Sequence, residues 1–179
     1  AMNRHAEAAD AYAQAYTRDD GASEASIFHA LYCMTREDYR TALERINQIL
    51  AAAPQYTVRA ASAAERVAAF LVDDHPAAAA ALYAFAAESI RPGDHLRLRQ
   101  ARALIAAGDA ETAERILSQL LTTDQGAGAA EILHESFNSR LSLEEQRRQW
   151  ESLIQRYPEN VHAQHYLQTL SGDRARAMF

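Results

Sequence analysis

Lysine is absent from this chain of 179 residues: all 18 basic side chains are arginine, set against 24 Asp and Glu for a net charge of −6. The simplest source of that absence is codon bias in a GC-rich genome, and the pointed alternative is a secreted effector that escapes ubiquitin attachment. An acidic chain without a concentrated basic surface is a poor non-specific binder of nucleic acid. A nucleic-acid partner is therefore not expected. The single Cys33 excludes an internal disulfide and any all-cysteine metal site, and leaves the redox compartment open. No apolar run reaches the roughly 18 residues that would suggest a membrane span, so no direct membrane insertion of this segment is expected, nor a signal peptide. The compartment stays open between bacterial periplasm and cytoplasm. No stretch alternates with period two, which argues against a sheet. G-x-S-x-G, the P-loop and G-x-G-x-x-G are all missing, so the segment is expected to be non-catalytic and to carry no cofactor.

What the chain has in abundance is alanine, 40 of its residues, within a hydrophobic fraction of 49%. Alanine loses no side-chain entropy in a helix and lets helix backbones approach closely. Only four Pro and six Gly interrupt it. An alanine-rich bundle would share this composition; a period separates the two readings. Tyr12, Ile46, Tyr83, Leu117 and Trp150 follow one another at intervals of 34, 37, 34 and 33 residues. Four residues before them stand Ala8, Ala42, Ala79 and Ala113, with Gln146 in the fifth copy. Eight or nine residues after them come Asp20, Pro54, Pro92, Gln125 and Pro158, each a breaker or a polar residue. A small residue, a large apolar one and a stop, recurring near 34, is the pattern of helix-turn-helix repeats. A lone helix pair cannot bury both faces, so adjacent pairs stack and share a core.

The spacing predicts helices near 3–18, 23–35, 38–53, 58–72, 76–90, 94–107, 110–123, 127–139, 142–156 and 160–170. Connections of two to six residues force neighbours to be antiparallel. Tyr39, Leu43, Ile46, Ile49 and Leu50 fall on one face, and Pro54 ends that segment. Gly108 is expected to take a left-handed turn and Asp109 to cap the helix that follows. Ser62 with Glu65, and Ser142 with Glu145, read as capping boxes that open helices. Arg91-Pro92-Gly93-Asp94 and Gly126 to Gly128 interrupt the pattern most strongly, and both read as repeat joints. Residues 1–179 are expected to form one all-α repeat domain of about four to five units. The chain opens inside a helical pattern, as expected of an excerpt from a longer protein.

These residues carry a resemblance. Glu37-Asp38-Tyr39-Arg40-Thr41-Ala42-Leu43-Glu44-Arg45-Ile46, running on to Pro54, is similar to the second helix of a tetratricopeptide repeat with its preceding turn. Ala101, Leu104, Gly108, Asp109, Ala113 and Leu117 match across both helices of one unit, and Val67, Phe70, Asp74, Ala79 and Tyr83 fit again. The likeness covers essentially the whole chain. The family's first-helix Trp is missing from every copy, and Gln146 replaces the small residue in the last, so the chain resembles a divergent member or a related two-helix solenoid. The resemblance implies an α-solenoid of stacked antiparallel pairs in a right-handed superhelix, with first helices lining a concave groove that holds a protein or peptide. By analogy it points to a scaffold in a bacterial envelope or polysaccharide-export assembly. Its rivals are a secretion chaperone for exported proteins and an accessory domain of an enzyme such as a glycosyltransferase.

Several side chains invite sharper chemistry. His162 and His165 lie three apart on one predicted helix face with Glu159 nearby, but no second cluster completes a tetrahedral metal site, and none is expected. His134-Glu135 lacks the second His of a zinc-protease helix. Cys33 could face His29 one turn away, yet among Leu31, Tyr32 and Met34 it reads as core. Arg97, Arg99 and Arg102 form the best binding candidate, because they stand on a predicted first helix and Arg pairs bidentately with carboxylates. Arg99 and Arg102 share a face, whereas Arg97 points away. The plain alternative is a solvated face paired with Glu88, Asp94 or Glu111. Arg147 and Arg148 fall on a second helix and are expected only to solvate the convex side.

Overall fold

The computed structural model describes residues 57–90 and 93–177, with side chains to residue 170, and the isolated positions 43, 44, 47, 50, 51 and 54. Every regular element among the described residues is a helix: α1 Thr57–Leu71, α2 Pro76–Ser89, α3 Asp94–Ala106, α4 Ala110–Leu120, α5 Gly126–Arg140, α6 Leu143–Arg156 and α7 Val161–Ala177. Six of the expected helices are recovered to within a few residues at each end. The seventh runs past its expected end at 170, because Gly172, costing about 1 kcal/mol against alanine, is too weak a breaker to stop it. The helices expected over 3–18, 23–35 and 38–53 lie outside the described residues. So do Ala8, Tyr12, His29, Cys33, Ala42 and Ile46.

The chain divides into two compact units, one ending at Ala107 and the other beginning at Gly108. In the first, α2 packs against α1 on one side and α3 on the other. The connections are four residues long, 72–75 and 90–93, and such short links return each helix antiparallel to the one before. Being covered twice, α2 is apolar nearly all round, with Ala78, Ala79, Ala80, Leu82, Tyr83, Ala86 and Ala87 buried. Pro76 opens it, where a missing N–H costs nothing. The facing stripe of α1 is also mostly alanine: Ala60, Ala61, Ala63, Ala64 and Ala68. A core built so heavily from methyl groups holds by close backbone approach. Leu71, Leu82, Leu96 and Tyr83 are its large fillers.

In the second unit, α4 packs on α5, α5 on α6 and α6 on α7, and α7 also returns to α5. Gly108 takes the expected positive φ of 87°, and the Asp109 carboxylate accepts from Thr112 N at 3.2 Å to cap α4. Ser142 and Glu145 form the expected reciprocal cap on α6. Ser62 does not cap: it lies inside α1, which already starts at Thr57, and Glu65 is used elsewhere. Asn160 ties the α6–α7 connection down, its Oδ1 accepting from Ala163 N and its Nδ2 donating to the Leu121 carbonyl. Arg140 on α5 is ion-paired with Glu114 on α4.

The small-then-large register holds in two of the three described copies, and in the third the same two positions are buried with Gln146 in the small one. Ala79 and Tyr83, Ala113 and Leu117, and Gln146 and Trp150 are all buried. Gln146 stands at a small-residue position with its Nε2 donating to the Leu141 carbonyl at 3.0 Å, while its enclosed Oε1 has no partner. Trp150 is 0% exposed. Its ring meets Phe137 of α5 edge-on, with centroids 5.4 Å apart, and lies stacked against Tyr166 of α7 at 5.2 Å. Ala79→Leu and Ala113→Leu should each overfill a helix crossing and destabilise by about 1–3 kcal/mol. Trp150→Ala should lose about 3–5 kcal/mol. Urea denaturation followed by circular dichroism measures all three, and midpoints equal to the parent's would show the core face to be misassigned.

Candidate partner-binding face

Helix α3 carries the three arginines singled out by the sequence. Gly93 precedes it with φ −94°, an ordinary value, so glycine is required there for space: a Cβ would be driven into the Ala87 carbonyl oxygen. Asp94 in the first turn complements the positive end of the helix dipole. Leu96, Ala101 and Ala103 are the residues α3 buries, and Arg97, Arg99 and Arg102 are left exposed.

The three are not equivalent. Arg99 donates from Nη1 to Glu65 Oε1 of α1 at 2.7 Å. The two residues are 34 apart, one repeat period, so they occupy the same position in successive first helices of the expected pairs. The plain alternative proposed pairing for the arginines, but with Glu88, Asp94 or Glu111; the observed carboxylate is one period upstream. Tyr83 of α2 belongs to the same cluster. Burial raises its phenol pKa above the ordinary 10.0, the Arg99 charge and a hydrogen bond to Arg99 work in the opposite direction, and Glu65 adds to the rise. Its hydroxyl thus stays protonated at neutral pH beside the ion pair. No carboxylate among the described residues pairs with Arg97 or Arg102. The geometry therefore sets a fixed, partly neutralised guanidinium at Arg99, with the exposed Arg102 one turn further along α3.

Glu65 is the residue that the sequence reading misplaced. Its signal was available, since an acidic and a basic residue one period apart on first helices would meet across neighbouring pairs. The serine three residues before it drew the capping interpretation instead.

The other candidates resolve more simply. Arg147 pairs with Glu151 and Arg148 with Glu144, each one turn apart on α6 and largely solvated. Such pairs contribute only a few tenths of a kcal/mol. His165 lies edge-on to Tyr166, and no group of three or more His, Cys, Asp or Glu among the described residues is placed to hold a metal ion. None of the described helices is long and apolar enough to cross a membrane. No family model, curated protein or solved structure matches this chain.

The Arg99–Glu65 pair has side chains 50% and 28% exposed, so solvent screens it heavily. In a double-mutant cycle with Glu65→Gln and Arg99→Gln, the coupling should be about 0.2–1 kcal/mol and should shrink in high salt. A coupling well above that, or one insensitive to salt, would mark the pair as structural rather than as a surface feature.

Proposed function

We propose that this chain is a non-catalytic scaffold of the tetratricopeptide kind, whose first helices line a concave groove that captures a protein or peptide segment. Arg99 and Arg102 are the leading contacts, with Arg97 third. The groove takes acidic side chains or a chain terminus, because guanidinium forks match carboxylates in geometry as well as charge. Preformed helices would spare the ordering cost that flexible binders incur. A bacterial envelope or polysaccharide-export assembly is the setting we favour, by analogy of fold alone.

The single observation that carries this reading is the ion pair joining α1 and α3 one repeat period apart. It brings two first helices together on a surface that also bears the exposed Arg102. Pairing with Glu65 positions Arg99 without exhausting it, since a guanidinium has five donors. In an otherwise acidic chain, such a local positive strip would steer a carboxylate-bearing partner.

Reversing both charges with Arg99→Glu and Arg102→Glu should sharply reduce the recovery of bound protein from a lysate passed over the immobilised chain. The helical circular dichroism signal should be unchanged. Arg147→Glu with Arg148→Glu, on α6, serves as the control and should capture as the parent does. Equal capture by the α3 double variant would remove the site and leave the fold untouched.

A further inference from the structure

Three rings from three helices form a single stack in the second unit. His134 of α5 lies against Tyr166 of α7, with centroids 4.3 Å apart and an interplanar angle of 24°. Tyr166 lies in turn against Trp150 of α6, at 5.2 Å and 16°. Tyr166 is thus held between a titratable ring and a fully buried one. We propose that His134, Tyr166 and Trp150 form a pH-sensitive clasp, which holds α7 on α5 and α6 at neutral pH and loosens it under mildly acidic conditions.

The geometry at His134 carries the proposal. Nε2 lies 3.0 Å from the Asn138 side-chain amide, one turn further along α5. Nδ1 is enclosed and has no hydrogen-bond partner. A neutral imidazole can present a bare lone pair at that enclosed position if Nε2 holds the proton and Asn138 turns its oxygen to it. The imidazolium has no such option. It carries N–H on both nitrogens, so protonation places a donor at Nδ1 with nothing to receive it, and that costs more than an enclosed lone pair does.

The charges around the ring are few. On α5 itself, Glu135 favours the imidazolium, and Glu131 joins it in acting on Tyr166. From α7 come Tyr166, which stays protonated throughout this range, and His165, which is edge-on to Tyr166. Helix α6 contributes the uncharged Trp150 to the stack. Helix α4 brings Glu114 to α5, where it is bonded to Arg140, nearly two turns beyond His134. The face of Tyr166 also attracts a cation. Burial outweighs the Glu135 attraction and holds the His134 pKa below its ordinary 6.5. The sign follows from linkage. A ring that binds its proton less readily when clasped leaves the clasp intact above pH 6.5, weakens it as the pH falls below that, and reaches its full deficit below the clasped pKa. Carboxylates titrate near pH 4, so they stay out of the window above pH 5.

Trp150 is the chain's only tryptophan, and it reports on the stack directly. In the full chain, its emission should shift to the red reversibly between pH 7 and pH 5, with helicity largely kept. His134→Phe keeps an aromatic ring in place and removes the titration, so its emission should stay flat over the same range. His165→Gln should behave as the parent. Should the Phe variant fail to fold, proton NMR of the parent decides the matter: the His134 ring should titrate below 6.5 and in step with the Trp150 shift. A flat parent emission, the same shift in a folded His134→Phe variant, or a His134 ring titrating at or above 6.5 would each overturn the clasp.

Discussion

The constraint on which the described structure depends is the distance between helix axes at the alanine positions. Where Ala79 and Ala113 stand, a larger side chain would hold neighbouring helices apart, and the residue four positions on would lose its contact. Tyr83 and Leu117 are buried because the alanine one turn before them permits the approach. The two positions act as one device, a gap and a plug. The last copy keeps the plug, Trp150, and replaces the gap with Gln146. It does so by giving the amide a hydrogen bond to a carbonyl that would otherwise be left at the turn. Only the donor half of that amide is satisfied, because its enclosed Oε1 has no partner.

The same arithmetic explains why the helices were legible from the sequence and the site less so. Six of seven described helices could be placed because signals such as Pro76, Gly108-Asp109 and Ser142 act locally, through a missing N–H, a positive φ or a cap, and need no distant neighbour to do so. Ser142 and Ser62 show the limit of that locality. Both stand three residues before a glutamate, yet one pair caps a helix and the other lies in the middle of one. What separates them is where the helix begins: α1 already starts at Thr57, five residues before Ser62, whereas Ser142 stands immediately before α6. The arginine strip was readable as composition, whereas the pairing of Arg99 was readable only through the period, which sets Glu65 and Arg99 34 residues apart on successive first helices. The His134 stack was hidden. It requires three helices, and no motif brings His134, Trp150 and Tyr166 together along the chain.

Charge is distributed to match. On α6 the arginines are neutralised within their own helix, one turn apart, so they make no demand on any neighbour. On α3 the guanidinium of Arg99 reaches to another helix. On α5, Arg140 likewise reaches Glu114 on α4. Inter-helix pairs of this kind contribute little to stability at the surface. They do set where the charged groups lie on the surface, and that placement decides which side chains a passing molecule meets.

Two glycines reverse the usual rule for where such a protein tolerates change. Connections between helices ordinarily accept substitution, and helix interiors resist it. Here the chain entering α3 at Gly93 and the chain entering α5 at Gly126 each pass so close to the end of the preceding helix that a single added carbon would strike a backbone oxygen, of Ala87 and of Leu121 respectively. Neither oxygen can swing aside as a side chain would. Variation among the described residues should therefore accumulate on the solvent faces of the helices and be resisted at these two bends, so that a mutational scan would mark two joints as unforgiving alongside the packed faces of the rods.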